Sequence, residues 1–417
     1  MKRFLISIIV FVTLLPAMAQ EEKKVSVNIY GFVRNDFYYD SRRSLASAAG
    51  LFYLIPLDRN LNELGEDLNA IPSSKMLSAA SRFGVNVKGP DVWGATTSAK
   101  IEGDFDGFSS NNTSNTMLRI RQAWTKLSWK KVDLLAGHTW HPMFGEVIPT
   151  VMSLATGSPF QPFNRSPQVR VDYRMNAFKT YLSAIYQSQF LSPGPLGSSP
   201  EYLRDGILPE LYLGFDYSKN GWIAGAGANF MHLRPRTIGL KEAEINGEPK
   251  IINTKVSDNI SSLSFNAFAQ YTNDKFAIKA KTIYGQNMGH LLLMGGYGIS
   301  KINSDGSFEY TNLNNSTSWL NITYGTKYQA GLFLGYSKNL GSSAELVANP
   351  FTFGASNIDQ VYRISPQVSY NVKHWSFGIE YEMTTVSYGT LDFKDGKVKD
   401  THDVTNNRIV GVMTYFF

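Results

Sequence analysis

Hydrophobic and polar residues alternate along several stretches of the chain. From Val169 to Met175, the odd-numbered positions are apolar or aromatic and the even-numbered positions are charged. The stretches 95–105, 262–271, 362–370 and 375–383 show the same period of two. Successive side chains of a β-strand point to opposite sides, so this period predicts strands with one apolar face and one polar face.

The pattern predicts about 16 strands, an even number that is typical of bacterial transmembrane barrels. The predicted strands lie near 25–40, 81–89, 93–106, 117–130, 132–139, 166–175, 178–190, 208–217, 221–234, 259–272, 275–288, 325–338, 342–348, 357–371, 373–388 and 404–417. Short connections, such as 218–220, alternate with long ones at 41–80, 140–165, 235–258 and 289–324. Short periplasmic turns and long extracellular loops are the rule in this class.

Alternation alone is also compatible with a soluble β-sandwich, and composition separates the two. The chain has 26 Phe, 22 Tyr, 7 Trp and 35 Gly, and aromatic residues stand near predicted strand ends at Tyr271, Tyr336, Tyr370 and Trp375. Aromatic rings at strand ends favour membrane interfaces. We therefore predict an all-β fold, a transmembrane antiparallel β-barrel.

The first residues have the order of a secretory signal. Lys2 and Arg3 precede an apolar run from Phe4 to Leu15, and Ala17 and Ala19 form a small-residue cleavage site. We predict a signal peptide at 1–19 and one barrel domain at 20–417. The chain has no Cys, which excludes lipid attachment through cysteine, disulfides and thiolate metal sites.

The last strand ends in an aromatic residue. Ile409, Gly411, Met413, Tyr415 and Phe417 share one face, and the terminal Phe417 resembles the signal that the barrel assembly machinery reads. Together with the signal peptide, this predicts a place in the outer membrane of a Gram-negative bacterium, in contact with lipid and lipopolysaccharide.

The strand phase predicts which side chains face the lumen when the apolar face meets lipid. The predicted pore-lining residues are Arg34, Asp36, Arg82, Lys100, Glu102, Asp104, Arg119, Arg121, Arg170, Asp172, Arg174, Lys279, Lys281, Arg363, Glu380, Glu382 and Arg408. The phase is lost after Gln122, which indicates a bulge. Basic residues form the majority, so the pore would favour anions. A ladder of ion pairs that only stiffens the wall is an equal alternative.

Catalytic and metal motifs are weak. No nucleophile elbow, phosphate loop or zinc-protease motif occurs, so we expect no enzyme and no cofactor. His138 and His141 with Glu146 could be ligands, but interface anchoring suits them better and we expect no metal. His232, His290, His374 and His402 have no clear Ser partner in the sequence.

Three function classes remain open at this point. A passive diffusion channel for small hydrophilic solutes fits the lumen best. A phospholipase-like barrel enzyme would need a Ser–His pair on the wall, and a structural or adhesive barrel would use the long loops to bind a partner. The net charge of +6 does not indicate nucleic acid as a partner of an exported chain.

Several motifs resemble the DcaP-like porin family, especially its members in Bacteroidota. These are the opening segment 30–40, the stretch Ala136-Gly137-His138-Thr139-Trp140, and the loop end 159–168 before a basic strand. The resemblance implies a homotrimer of 16-stranded barrels that prefers small anionic solutes. The N-terminal coiled coil of some relatives is not expected here, because only Gln20 to Lys24 separate the signal from the first strand.

The resemblance also implies that the loop at 140–165 folds inward and constricts the pore. Glu146 and Arg165 are then the charges expected at the constriction. A loop that lies on the outer surface is the alternative. The role of the 41–80 loop, with its apolar run at 51–55, stays open.

Overall fold

The structure is a computed structural model that describes residues 25–47, 50–108 and 116–417. The regular secondary structure of these residues is mainly β-strand, with a short helix, α1 at Glu201–Asp205, and a 3₁₀ turn at Gly289–Leu291. No helix in these ranges has the length and apolarity to cross a membrane. The signal peptide predicted at 1–19 lies outside the described residues.

The described ranges contain 23 β-strands. They are β1 (Ser26–Asp40), β2 (Ser44–Ser47), β3 (Phe52–Pro56), β4 (Ser73–Leu77), β5 (Arg82–Val92), β6 (Ala95–Phe108), β7 (Thr116–Ser128), β8 (Val132–Trp140), β9 (Arg165–Met175), β10 (Phe178–Ile185), β11 (Glu210–Lys219), β12 (Trp222–Leu233), β13 (Ile238–Ile245), β14 (Glu248–Lys255), β15 (Ile260–Thr272), β16 (Phe276–Gln286), β17 (Gly296–Ile302), β18 (Phe308–Gly325), β19 (Tyr328–Ser342), β20 (Phe351–Thr352), β21 (Ile358–Val372), β22 (Trp375–Leu391) and β23 (Val398–Phe416).

The strands close into one antiparallel barrel with 16 positions. β4 and β5 together form one of these 16 positions, since they pair one after the other with the same edge of β1. The other edge of β1 pairs with β23, where Phe32 lies opposite Phe416. This pairing joins the first and last strands, so the sheet has no open edge in the barrel wall. β13 and β14 form a separate hairpin, and β2 and β3 form another.

The two faces of the wall differ as the alternation predicts. In β9, Val169, Val171 and Tyr173 are exposed on the outside, whereas Asp172 between them is buried. The same order holds in β23, where Ile409 and Met413 are exposed outside and Arg408 is buried. An apolar outer face on a closed barrel requires lipid around it, and a polar inner face suits a wet lumen.

The two ends of the barrel also differ. Seven short turns, of which Asn220–Gly221 between β11 and β12 is one, lie at the end where β1 starts and β23 ends. Asn220 and Gly221 both have positive φ, as the two central residues of a type I′ hairpin turn require. Aromatic rings pair across strands at this end, as in Trp222 with Tyr271 at 5.0 Å. These features identify the periplasmic end.

Two strand assignments from the sequence are wrong, although the number of strands is right. The long strand β18 lies where a loop at 289–324 was predicted, and 342–348 is mostly a connection rather than a strand of its own. The outward positions in the first half of β18 are Asn312, Asn314 and Ser316, which gives no apolar alternation. The bulge expected near Gln122 is present, because the β6–β7 register shifts between Glu102 and Gly103.

Phe417 supplies the first test. Its backbone is hydrogen-bonded to Gly31 through both N–H and C=O, while its ring is 55% exposed on the lipid-facing side. The ring therefore adds little to the core, and Phe417→Ser should keep the stability of the folded barrel. If the ring is the assembly signal that the sequence predicts, this variant loses it. We expect less heat-modifiable barrel in the outer membrane while export continues.

Phe178→Ser is the matched control, because Phe178 is 57% exposed on the outer face of another strand. Equal yields of folded barrel from the two variants, measured by gel shift on unheated samples, would show that Phe417 carries no assembly signal.

Candidate functional site: a charged constriction inside the barrel

The segment 141–164, which connects β8 to β9, lies inside the barrel. Wall lysines bind its backbone: Lys281 Nζ donates to the carbonyl oxygens of Met143 at 3.1 Å and Phe144 at 2.6 Å. Lys279 Nζ donates to the carbonyl oxygen of Ile148 at 3.0 Å. Both lysines stand on β16, across the lumen from β8.

Further along, the inward segment is bound by other strands. The N–H of Thr150 donates to Asn321 Oδ1 on β18 at 2.8 Å. The N–H groups of Met152 and Ser153 donate to Glu380 Oε2 on β22, the second at 3.1 Å. Arg34 Nη2 on β1 donates to the carbonyl oxygen of Met152 at 2.6 Å. The inward segment thus crosses the lumen and divides it.

Two wall glycines make room for side chains of the inward segment. A Cβ atom on Gly335 would lie 2.5 Å from the ring of Phe160, and one on Gly378 would lie 2.4 Å from Met152 Sδ. Both distances are far below van der Waals contact. A larger side chain at Gly335 would collide with the Phe160 ring, and one at Gly378 would force the end of the Met152 side chain to move.

A second loop, at 41–80, also enters the barrel. Its role could not be predicted from the sequence. In the hairpin of β2 and β3, residues 51–55 are buried. Arg363 Nη2 donates to the carbonyl oxygen of Leu54 at 2.6 Å, and Arg408 Nη2 donates to that of Gly50 at 3.1 Å. The apolar run therefore packs inside the barrel.

Under this hairpin lies a sealed cluster of charges. It consists of Asp40, Arg363, Glu380, Glu382 and Arg408, all 5% exposed or less. Arg408 pairs with Asp40 at 2.8 Å, and both arginines pair with Glu382 at 3.4 Å. The arrangement matches an ion-pair network that holds loop backbone to the wall, because its arginines also donate to loop carbonyls.

The adjoining stretch of the wall, which shares β1 with the sealed cluster, carries a second, more basic cluster, here named the basic wall. It consists of Arg34, Asp36, Arg82, Lys100, Glu102, Asp104, Arg119, Arg121 and Arg165, which come from β1, β5, β6, β7 and the start of β9. Arg121 bridges Glu102 at 3.0 Å and Asp104 at 2.8 Å. The cluster thus holds six cations and three carboxylates.

Arg165 is the unusual member of the basic wall. It is 1% exposed and has no salt bridge to a carboxylate in the described residues. Nε donates to Gln189 Oε1 at 3.0 Å, the guanidinium lies 4.8 Å from the centre of the Trp140 ring, and Nη1 has no hydrogen-bond partner. A buried, unpaired guanidinium is a strong local source of positive potential.

A cavity of about 620 Å³ lies between the basic wall and the two inward loops. Arg34, Arg82, Arg119 and Arg121 line one side. The other side is largely apolar and is formed by Phe52, Val151, Leu154, Phe163 and Phe190. No sequence signal marks these apolar residues, because loop folding brings them together.

The 17 residues predicted to line the pore all have side chains on the inner face, but they fall into different environments. Lys279 and Lys281 are covered by the inward segment, and Arg363, Glu380, Glu382 and Arg408 belong to the sealed cluster. On β9, Arg170 pairs with Asp172, and Arg174 pairs with Asp133 near the periplasmic end.

The two residues expected at a constriction lie in different parts of the lumen. Arg165 joins the basic wall, whereas Glu146 lies away from it, with its side chain 54% exposed. Lys179 Nζ on β10 donates to Glu146 Oε1 at 2.5 Å and also pairs with Asp216.

The histidines also differ from the sequence interpretation. His141 contacts Glu210 and His290 instead of His138 and Glu146. His232 does have a Ser partner: its Nδ1 lies 2.9 Å from Ser261 Oγ. The two stand opposite each other on β12 and β15. The described residues place no carboxylate within salt-bridge distance of His232, so the orienting group of a triad is not seen there.

Comparison with solved structures finds barrels of similar fold among outer-membrane proteins. The outer membrane channel DcaP of Acinetobacter baumannii is similar with a TM-score of 0.67 at 17% identity, over 94% of this chain and 97% of that chain. An anion-selective porin from Comamonas acidovorans gives 0.54 at 10% identity, over 94% and 100%. The trimer form of OmpT, an outer membrane protein of Vibrio cholerae, gives 0.55 at 12% identity, over 94% and 99%.

No family model matches the sequence, and no curated protein matches it either. The similarity to solved structures therefore establishes the fold, a DcaP-like porin barrel.

Glu380 offers a test of how the inward segment is held. Glu380→Gln keeps the shape but removes the charge that accepts two backbone N–H groups, and charge-assisted hydrogen bonds are about twice as strong as neutral ones. We expect a looser segment, seen as higher and noisier single-channel conductance, with the barrel still folded.

Glu309→Gln is the control, since Glu309 is an exposed partner of Lys301 near the extracellular end. Identical conductance traces from the two variants would mean that Glu380 does not anchor the segment.

Proposed function

We propose that the protein is an outer-membrane porin through which small hydrophilic solutes diffuse passively, with a preference for anions. The observation that supports it best is the cavity beside the basic wall, inside a closed barrel that two inward loops narrow. A soluble sandwich has no such lumen, and an adhesive barrel has no need of one.

The preference for anions follows from the charge balance of the basic wall beside the cavity. Six cations face three carboxylates in the basic wall, and Arg165 has no salt-bridge partner there. A charge about 8 Å from a passing ion contributes roughly 2 kcal/mol at an effective dielectric of 20. A small excess of arginines can therefore bias ion flux in a narrow, water-filled passage.

The alternative of a stiffening ion-pair ladder applies to the sealed cluster. There, two arginines meet three carboxylates with no access from the cavity, and both arginines donate to loop carbonyls. We assign the stiffening role to this cluster and the selecting role to the basic wall. Lys279 and Lys281 also hold loop backbone, so they add little to selectivity.

The remaining partners follow from the fold. The apolar outer face indicates outer-membrane lipid and lipopolysaccharide around the barrel, and the exposed ring of Phe417 beside β1 is proposed as the contact for the barrel assembly machinery. A homotrimer fits the barrel shape, as in the trimer form of the Vibrio cholerae protein. No cofactor is required for passive diffusion.

Reversal potentials across a planar bilayer test the proposal. The double variant Arg82→Gln with Arg119→Gln removes two cavity-lining charges, and we expect a several-fold fall in anion over cation permeability in a 0.1 M to 1 M gradient. Salt should blunt the wild-type preference, since the Debye length is ~10 Å at 0.1 M and ~3 Å at 1 M.

Arg170→Gln with Arg174→Gln is the matched comparison. These two arginines also face the lumen, but each pairs with an aspartate outside the cavity, so we expect a smaller shift. A wild-type channel that prefers cations, or an equal shift from both double variants, contradicts the role of the basic wall. A folded barrel without conductance contradicts the porin itself.

A further inference from the structure

Three buried side chains meet where the inward segment begins. His141 is the first residue of that segment, Glu210 opens β11, and His290 lies in the 3₁₀ turn at Gly289–Leu291. All three are 1% exposed or less. They come from three parts of the chain that are far apart in sequence, so only the fold brings them together.

The spacing of their donor atoms suits a metal ion. His290 Nε2 lies 2.9 Å and His141 Nε2 lies 3.3 Å from Glu210 Oε1, and all three donor atoms lie within 4.8 Å of one another. Ligands at about 2.0 Å from Zn²⁺ in a tetrahedron are roughly 3.3 Å apart. Two imidazoles and a carboxylate are also a familiar donor set for this ion.

The charge balance supplies independent support. Glu210 is fully buried and forms no salt bridge with Lys or Arg in the described residues; its recorded partners are His141, His290 and Asn229. Its Oε2 has no hydrogen-bond partner, and neither do Asn229 Oδ1 or His290 Nδ1. An ionised carboxylate buried without a cation is costly. A divalent ion would neutralise it and use the unpaired oxygens.

One hydrogen bond in the structure opposes metal binding, and its loss costs little. The N–H of Met143 donates to His141 Nδ1 at 3.1 Å, so in this arrangement the His141 proton is on Nε2 and points to Glu210. Metal binding at Nε2 requires that proton on Nδ1 and gives up the contact with Met143. One neutral hydrogen bond is exchanged for coordinate bonds from three side chains.

We propose that His141, Glu210 and His290 form a binding site for a divalent transition-metal ion, with Zn²⁺ favoured by the nitrogen and oxygen donors. The Asn229 side chain or a water molecule completes the coordination. The ion fastens the start of the inward segment and the 3₁₀ turn to the barrel wall. It has a structural role, since the site is closed to solutes.

The test uses full-length mature barrel, refolded in detergent without lipopolysaccharide and freed of metal with a chelator. Co²⁺ is the probe, because tetrahedral cobalt absorbs visible light, and Zn²⁺ should displace it. We expect one Co²⁺ per chain, and a thermal unfolding midpoint that rises with Zn²⁺ concentration. Absorption does not depend on conductance, so the metal site and the porin proposal can fail separately.

Glu210→Gln and His290→Ala should each weaken Co²⁺ binding by about tenfold or more. His232→Ala should bind as wild type, since His232 lies on the outer face away from the cluster. Folding of every variant is checked by heat-modifiable migration, and Glu210→Gln serves if His290→Ala does not fold. No cobalt absorption in wild type, or equal affinity in Glu210→Gln and wild type, would overturn the proposal and leave a purely hydrogen-bonded cluster.

Discussion

The arrangement of the lumen depends on how the buried backbone of the inward segment is satisfied. A loop without regular structure exposes N–H and C=O groups, and each unpaired buried group costs about 1–3 kcal/mol. Charged side chains of the wall satisfy both kinds of group, as donors to the C=O groups and as acceptors from the N–H groups. Lys279 and Lys281 donate to loop carbonyls, and Glu380 accepts from loop N–H groups. Without these groups the segment would be better solvated outside the barrel.

This requirement divides the inner charges into two kinds. Charges that bind only loop backbone are no longer available to solutes, whereas five members of the basic wall line the cavity, and of these Arg34 also binds loop backbone. The division explains why a count of inward-facing charges is a poor guide to selectivity. It also explains why the sealed cluster tolerates three carboxylates near two arginines: loop N–H groups stabilise Glu380 in place of a cation.

The sequence predicts the wall well and the lumen poorly, for a physical reason. Alternation is a local property of each strand. In a strand that alternates, the apolar face meets lipid, so the outward direction of Val169 or Ile409 can be predicted from the sequence. β18 is missed by the sequence pattern because polar Asn312 and Asn314 stand on its outer face. The predicted number of strands is still right, since a strand was wrongly predicted at 342–348. Lys281 shows the limit inside the barrel. Its inward direction follows from phase, but its partner Phe144 is 137 residues away, and no pattern reveals that contact.

The wall glycines show how the strands and the loop depend on each other. In a strand, Gly at 335 or 378 costs stability and has no side chain to pack. Each position becomes useful only when Phe160 or Met152 fills the space above it. The inward segment thus completes the inner surface of β19 and β22, while those strands fix the course of the segment. Most of the basic wall has no such cover, since its members on β5, β6 and β7 bind one another, while Arg34 on β1 also donates to the carbonyl oxygen of Met152. The cavity therefore lies on the side where most wall charges are bound to one another and few of them hold loop backbone.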